Sequence, residues 1–580
     1  MAIENLITDH LDLWTAAVRP KSSAGRGSNS KLELTGIKKL RELILELAVR
    51  GKLVPQDPSD EPASVLLSRI AAEKARLVKE GKIKKPKALP EISEEEKSFE
   101  LPRTWSWVRL NDIADYNGRP NIEPDNIKGD VWLLDMEDIE KDTSKLLYRA
   151  FYEGRESKSN KSTFKCGDVL YGKLRPYLNK VIIADLDGVC TTEIVPIVPS
   201  DGLHPAYLKY LLKSPAFQNY VNSLMYGVKM PRLGTEDAIK SVHPLPPFAE
   251  QHRIVAKVDE LMALCDQLEQ QSEAHLAAHQ TLVETLLTTL TDSGDASELA
   301  QNWARLSTHF DTLFTTEASI NTLKQTILQL AVMGKLVPQD PSDEPASVLL
   351  ERIAAEKAQL VKEKKIKKEK VLPAISEEEK PFVTPEGWVF SRLQNVIDVR
   401  DGTHDSPKNA EGENTYPLIT SKDFKDGKID FESARYISEC DHLEISKRSF
   451  VEMYDILFSM IGGNIGNQVM VMSERPFSIK NVALFKYFNK AYTLPEYVFL
   501  YTQYLANDLQ DKAVGGAQPF ISLGALRNLI FPLPPVSEQY KIAAKVDELM
   551  TLCDQLKSRL QTSQQTQLAL AEALVEGALS

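Results

Sequence analysis

Residues 47–85 read LAVRGKLVPQDPSDEPASVLLSRIAAEKARLVKEGKIKK, and residues 330–368 read LAVMGKLVPQDPSDEPASVLLERIAAEKAQLVKEKKIKK. The offset is 283, and four of the 39 positions differ: Arg50/Met333, Ser68/Glu351, Arg76/Gln359 and Gly81/Lys364. A second pair of blocks lies further on. PLPPFAEQHRIVAKVDELMALCDQL (244–268) matches PLPPVSEQYKIAAKVDELMTLCDQL (532–556) at an offset of 288. Between these blocks, residues 111–243 and 394–531 show almost no similarity. The chain is one scaffold built twice around two different inserts.

Working outward, Ile37, Leu40, Ile44 and Leu47 fall at helical spacing, as do Ile320, Leu323, Ile327 and Leu330 in the second copy. GKLVPQDPSDEPAS follows as a proline-broken loop, then a second helix with a basic end that suits the helix dipole. Past Trp105 and Trp388 the period changes. Short β-like runs appear at Val169–Tyr171, Val181–Ala184 and Ile194–Val198, and at Ile456–Phe458, Val469–Met472 and Val482–Tyr487. Each insert ends in a helix rich in Tyr and Leu, and the PLPP segments close it, since proline stops regular structure.

A long helix follows each PLPP. Ile254, Val258, Leu261, Leu264 and Leu268 step by 4, 3, 3 and 4, and Ile542, Val546, Leu549, Leu552 and Leu556 repeat those steps as a coiled-coil seam. Run to residue 290, the first would reach about 55 Å. An apolar stripe of that length needs a partner, and the simplest is the other long helix; the alternative is that each long helix caps its own insert and no rod forms. The expected class is α+β: two small mixed α/β domains separated by two long antiparallel coiled-coil helices, with an internal pseudo-two-fold repeat. The boundaries are an N-terminal arm at 1–36, a first helical scaffold repeat at 37–100 and the first insert at 101–248. A long helix at 249–292, a central helical repeat at 293–383, the second insert at 384–536 and a second long helix at 537–580 complete it. KSSAGRGSNSK in the arm reads as a flexible linker. A faint echo of TDHLDLW (8–14) at 307–313 carries no weight by itself.

The composition, 42% hydrophobic and 26% charged, is that of a globular chain long enough for about four domains. Five dispersed cysteines suggest neither a disulfide framework nor a zinc site, and Cys265 and Cys553 read as small buried apolar groups. The first residues do not resemble a signal peptide, and no apolar run approaches the roughly 18 residues of a membrane span, so a cytoplasmic location is expected. The net charge of −12 argues mildly against a simple nucleic-acid binder. Its distribution matters more, because residues 141–180 hold ten Lys/Arg against four Asp/Glu, while EISEEE (91–96) and AISEEE (374–379) are acidic.

Catalytic signatures are missing: there is no phosphate-binding P-loop and no HExxH. PPF at 246–248 invites comparison with adenine-methyltransferase motifs, but the Asn or Asp that would hold the amino group is Leu245 here and Leu533 in the copy. The prolines therefore read as a structural joint. Both inserts do carry side chains suited to DNA. The first interleaves Lys158, Lys161, Lys165, Lys173, Arg175 and Lys180 with Tyr171 and Tyr177, and adds Lys229 and Arg232. The second offers Thr403, His404, Ser421, Lys422, Lys425, Lys447, Arg448, Asn464, Asn467, Gln468 and Gln518. Basic groups neutralise phosphates, whereas Arg, Asn and Gln can also read base edges. Charges that merely solvate a surface are the alternative, and for His404 so is a local hydrogen bond.

This layout resembles the specificity subunit of Type I restriction–modification enzymes. The resemblance is carried by the twin segments GDVLYGKLRPYLNK and YDILFSMIGGNIGN, the twin LPP..EQ....KVDELM joints, the DGTHDSP–YPLITSKDF–GKIDF run, and a repeat alternating with unlike inserts. It implies that each insert is a target-recognition domain reading one half of a bipartite, asymmetric site on double-stranded DNA. It implies docking of two modification subunits on the paired helices, where Val258, Leu261, Leu264, Leu268, Val546, Leu549, Leu552 and Leu556 would be partner contacts. Those subunits would bring S-adenosylmethionine for N6-adenine methylation, and two restriction subunits would bring ATP and Mg for cleavage in phage defence. This chain would be non-catalytic, without cofactor or metal. The rivals are a structural adaptor bridging two proteins without touching DNA, and an autonomous methyltransferase or nuclease.

Overall fold

The computed structural model describes residues 3–20, 32–81, 89–155, 158–225, 229–294, 296–513 and 519–579. The expected linker at 21–31, the KIKK end of the first scaffold helix (82–85) and Gln518 lie outside the described residues. The chain forms two compact units: one runs to His275 and takes in the chain from Ser563, and the other is Leu276–Thr562.

The duplicated scaffold folds twice in the same way. Helices Thr35–Val49 and Ala63–Lys79 correspond to Glu317–Val332 and Ala346–Lys362. The glycine after the first helix of each pair is required. Gly51 and Gly334 have φ of +69° and +71°, and a Cβ there would lie 2.5 Å from Pro102 or Pro385, hard against Trp105 or Trp388. The second helix reaches the insert it precedes: Lys74 Nζ donates to the Asn111 carbonyl (2.6 Å) and Lys357 Nζ to that of Gln394 (2.8 Å). The acidic segments close on the inserts too. Arg109 donates two hydrogen bonds to the Glu96 carboxylate (2.9 and 3.1 Å), and Arg392 one to Glu379 (2.8 Å).

The arm is more ordered than its composition suggests. Residues 3–16 hold two short helices, Trp14 is fully buried, and Gly36 N–H donates to the Ala17 carbonyl (2.8 Å). The faint echo is structural. His10 precedes the helix Leu11–Ala16 at φ −128°, ψ 25°, and His309 precedes Phe310–Leu313 at φ −116°, ψ 16°.

The two inserts share a topology that their sequences hide. The first holds an antiparallel sheet ordered Val181–Ile183, Val169–Gly172, Ile194–Pro199, Ala114–Tyr116. The second matches it with Gln468–Met470, Ile456–Ser459, Val482–Tyr487, Ile397–Asp401. Every β-like run read from the sequence is a strand of these sheets. A second sheet in each insert contains one parallel pair, Trp132–Leu134 with Gly188–Cys190 and Thr415–Ile419 with Ser478–Ile479. The buried middle strand starts from the same turn. Gly167 (φ +89°) or Tyr454 (φ +70°) precedes an aspartate, Asp168 or Asp455, that accepts from the backbone N–H three residues earlier, both at 2.8 Å. Each buried aspartate has a cation: Arg119 for Asp168 and Lys486 for Asp455.

The helix expected at the end of the first insert is two helices, Pro205–Lys213 and Pro215–Leu224, broken at Ser214 because Pro215 cannot continue the ladder. Its counterpart Pro495–Asp511 is continuous. The PLPP segments also depart from expectation. Pro244 and Pro532 do not stop a strand but lie inside one, Val242–Leu245 and Ile530–Leu533, each paired in a two-stranded ribbon that a proline tolerates. Tyr207 and Tyr497 hydroxyls donate to the carbonyls of those prolines (3.1 and 2.9 Å). The glutamine of the EQ pair donates to the carbonyl of the next proline, Gln251 to Pro246 and Gln539 to Pro534, both at 3.2 Å. The prolines of these segments thus form a hydrogen-bonded structural joint, as expected, while Phe248 is 39% exposed.

The long helices are Phe248–Asp292 and Val536–Leu579. Their buried seams correct the expected register. Leu264 and Leu552 do not take the inner positions, and Leu552 is 52% exposed. Cys265 and Cys553 do, so Ile254, Val258, Leu261 and Cys265 step by 4, 3 and 4, the true heptad. In the second unit Lys335 Nζ donates to the carbonyls of Thr291 (2.7 Å) and Ser293 (2.9 Å), at the end of the first long helix. Gln339 donates to Glu538, at the start of the second (3.0 Å). The first unit repeats the arrangement, with Lys52 Nζ on the Leu579 carbonyl (2.7 Å) and Gln56 on Glu250 (2.5 Å). Inside each unit the end of one long helix therefore lies beside the start of the other.

Candidate nucleic-acid interface

The turn that leaves the buried middle strand is fastened identically in both inserts. In the first, Arg175 N–H donates to the Pro231 carbonyl (2.8 Å) and Leu233 N–H to that of Lys173 (3.0 Å). In the second, Gly462 N–H donates to the Pro519 carbonyl (2.8 Å) and Ile521 N–H to that of Met460 (2.9 Å). Both turns pass through the left-handed region, Arg175 at φ +50° and Gly462 at φ +77°. The joint brings 173–177 together with 229–232, which the sequence separates by more than fifty residues. Lys173 is half-buried, and Arg175, Tyr177, Lys229 and Arg232 are exposed, Tyr177 by 49%. Arg232 is held by Glu193 through two hydrogen bonds (2.9 and 3.0 Å). In the second insert the same place holds exposed Asn464 and Phe520, the latter 49% exposed and unmarked by the sequence reading. Only the backbone pairing of Ile461 with Phe520 reveals it.

Three of the ten basic groups at 141–180 are already paired with carboxylates. Arg149 pairs with Asp185, Arg155 with Asp138, and Lys145 with Asp266. Lys180 donates to the Met136 carbonyl (2.7 Å), and burial pushes its ammonium below the usual lysine range. Lys158 and Lys165 remain exposed. Lys161 and Tyr171 are corrected: at 3% and 1% exposure they are buried side chains, because their strands, Lys161–Phe164 and Val169–Gly172, are covered on both faces.

In the second insert, Asp401 ends an edge strand of the central sheet and accepts from Arg448 Nε (3.0 Å). His404 bridges Asp401 and Asn481 through its two ring nitrogens, each at 3.1 Å, which is the local role weighed for it. Thr403 is buried and accepts from Asp405 N–H (3.1 Å), and Gln468 is buried against Thr502, so neither presents a free side chain. Ser421 is half-buried and Lys422 exposed, while Lys425 and Lys447 pair with Asp430 and Glu444. Asn467 is exposed, its carbonyl accepting from Ser459 N–H (2.8 Å). The Asp401 end of the sheet adjoins the turn that leaves the middle strand, since Ala483 pairs with Asp401 and Val482 with Ser459.

The suggested partner contacts on the long helices divide. Val258, Leu261 and Val546 are buried within their own units and cannot meet a partner, Leu264, Leu268, Leu549 and Leu556 are half-buried, and only Leu552 stands out.

Fold and edges together define a duplicated helical frame carrying two α/β domains of one topology and unlike exposed edges. A family model described as the Type I restriction modification DNA specificity domain matches residues 102–278 and again 385–563, once over each domain. The chain belongs to that family. It is 46% identical to the Type I restriction enzyme EcoAI specificity subunit of Escherichia coli and 45% identical to the EcoEI specificity subunit, over the whole of each chain. A solved structure described as "Structural basis underlying complex assembly and conformational transition of the type I R-M system" shares the fold at a TM-score of 0.53 and 20% identity, over 83% of this chain and 99% of that one.

Proposed function

We propose that this chain is the DNA-reading subunit of a Type I restriction–modification complex, each α/β domain recognising one half of a bipartite site on double-stranded DNA. The observation that carries the reading is the pairing of likeness with difference. One family model fits both domains, yet their exposed edges present different chemistry on the same fastening, Arg175 and Tyr177 in one, Asn464 and Phe520 in the other. Equal frames suit two copies of one partner, and unequal edges suit two unequal ligands. The partners are two modification subunits holding S-adenosylmethionine, with two restriction subunits using ATP and Mg. The chain itself supplies no catalysis.

The test is a methylome. The chain is expressed with its modification partner in a host lacking other adenine methylation, and N6-methyladenine is mapped genome-wide. Two defined half-sites separated by a fixed gap are expected. Methylation without sequence preference would favour a structural adaptor, and methylation by the purified chain alone would show an autonomous enzyme.

A further inference from the structure

The turn Arg175–Lys180 is gripped from several sides. Beyond the Pro231 joint, Lys173 N–H donates to the Glu193 carbonyl (2.9 Å), Asp142 N–H to that of Leu178 (3.0 Å), and Ser144 Oγ to that of Asn179 (2.9 Å). Behind this collar, Lys213 sits almost fully buried and donates to the Asp142 carbonyl and Ser144 Oγ, both at 2.6 Å. Arg175 and Asn179, near either end, both hold left-handed conformations (φ +50° and +52°); asparagine visits that region readily, but a long side chain such as that of Arg175 is disfavoured there. Such backbone persists only where its surroundings enforce it, and it gathers at binding sites.

The side chain this device presents is unlike its neighbours. Arg109, Arg119, Arg149, Arg155 and Arg232 each engage a carboxylate. Among the described residues the exposed guanidinium of Arg175 has neither an ion-pair nor a hydrogen-bond partner. A phosphate contact needs only a charge on a flexible stem, whereas reading a base edge needs a fork held in register. The second domain places Asn464 on the equivalent turn. There Gly462 and Gly463 have open space where a Cβ would be, and the Asn464 side-chain amide is exposed and unpartnered among the described residues.

We propose that the turn after the buried middle strand is the base-reading element of each domain, with Arg175 recognising a guanine in one half-site and Asn464 an adenine in the other. The chemistry is a matched pair of hydrogen bonds: two donors of Arg meet O6 and N7 of guanine, and the amide of Asn meets N6 and N7 of adenine in the major groove. This rests on the reading that each domain recognises one half-site.

The methylome assay distinguishes the two levels. A wild-type complex with no bipartite motif would fail the underlying reading. Given such a motif, Arg175→Lys keeps the charge but loses the fork, and Arg175→Gly suits the left-handed backbone while removing the side chain. Both are expected to relax one guanine position in one half-site, with about tenfold loss of discrimination there, and to leave the other half intact. Asn464→Ala is expected to relax an adenine in the opposite half only. The unaffected half-site in each variant reports that the protein is folded. An unchanged motif methylated uniformly less well would make Arg175 a phosphate contact and overturn the proposal. So would loss of both half-sites with Arg175→Gly.

Discussion

Trp105 donates its indole N–H to Oε2 of Glu250 at 2.9 Å, and Trp388 makes the same bond to Glu538 at 2.8 Å. The bond ties the entry of each insert to the first turn of the long helix that leaves it, where burial pushes both carboxyls above their ordinary range. Trp105→Phe leaves a buried carboxylate oxygen without its donor, so a loss of about 1–3 kcal/mol in unfolding free energy is expected. Trp388→Phe should cost the same within error. Denaturant titration of both variants checks this, and a marked inequality would mean that the repeats are not energetically equivalent.

Gly402 should resist substitution. A Cβ there would lie 2.5 Å from the Ile479 carbonyl oxygen, which belongs to a strand and cannot easily yield. Gly402→Ala is expected to destabilise by about 1–3 kcal/mol. Gly463→Ala, with nothing within 4 Å of the new Cβ, should change stability by less than about 0.5 kcal/mol. Thermal unfolding of the pair suffices, and equal effects would refute the steric argument.

The Arg109–Glu96 clamp should weaken in acid. Arg109, with the Ser93 backbone N–H, holds the Glu96 carboxyl down at about 2, against an ordinary value of 4.5. A depressed carboxyl stabilises the fold above its unfolded pKa and loses that contribution as pH falls toward the folded value. The stability difference between wild type and Glu96→Gln should therefore be full at neutral pH and shrink between about pH 4.5 and about pH 2. A difference independent of pH would show that the clamp does not depend on charge.

Lys173, half-buried beside the reading turn, is suited to a phosphate. Lys173→Ala in the assembled complex should weaken DNA binding about equally on all sequences and lower the slope of log affinity against log salt by about one. Binding measured at several salt concentrations decides, and an unchanged slope would remove Lys173 from the interface.

If the long helices set the gap between half-sites, adding seven residues to each should change it. Two turns add about 10 Å, close to three base pairs of duplex. The methylated motif of the lengthened chain gives the answer directly, and an unaltered gap would free the helices of that role.

The scaffold is legible because its repeat is nearly literal, and the central strands because short continuous apolar runs such as Val169–Tyr171 and Ile456–Phe458 stand between turns. The seam departs from its expected register by one residue at Leu264 and Leu552, because both neighbours, leucine and cysteine, are apolar and only packing chooses between them. Lys161, Tyr171 and Gln468 misled for a related reason. Residue type suggests a surface role, but these strands are covered on both faces, so that Lys161 and Ser162, or Leu170 and Tyr171, are buried at consecutive positions, and the sequence alone does not show that cover. The pairing of Arg149 and Arg155 with Asp185 and Asp138 was equally hidden, since it depends on chain segments that meet only in the fold. Phe520 carries no signal in the sequence, because its place is set by a main-chain bridge that leaves no mark on residue type.

That bridge has an evolutionary side. The fastenings at Arg175–Pro231 and Gly462–Pro519 consist of amide and carbonyl alone, so they survive a change of side chain on either strand of the joint. On the proposed reading, a single substitution on either turn can then change what one domain prefers without remaking its fold or touching the other domain.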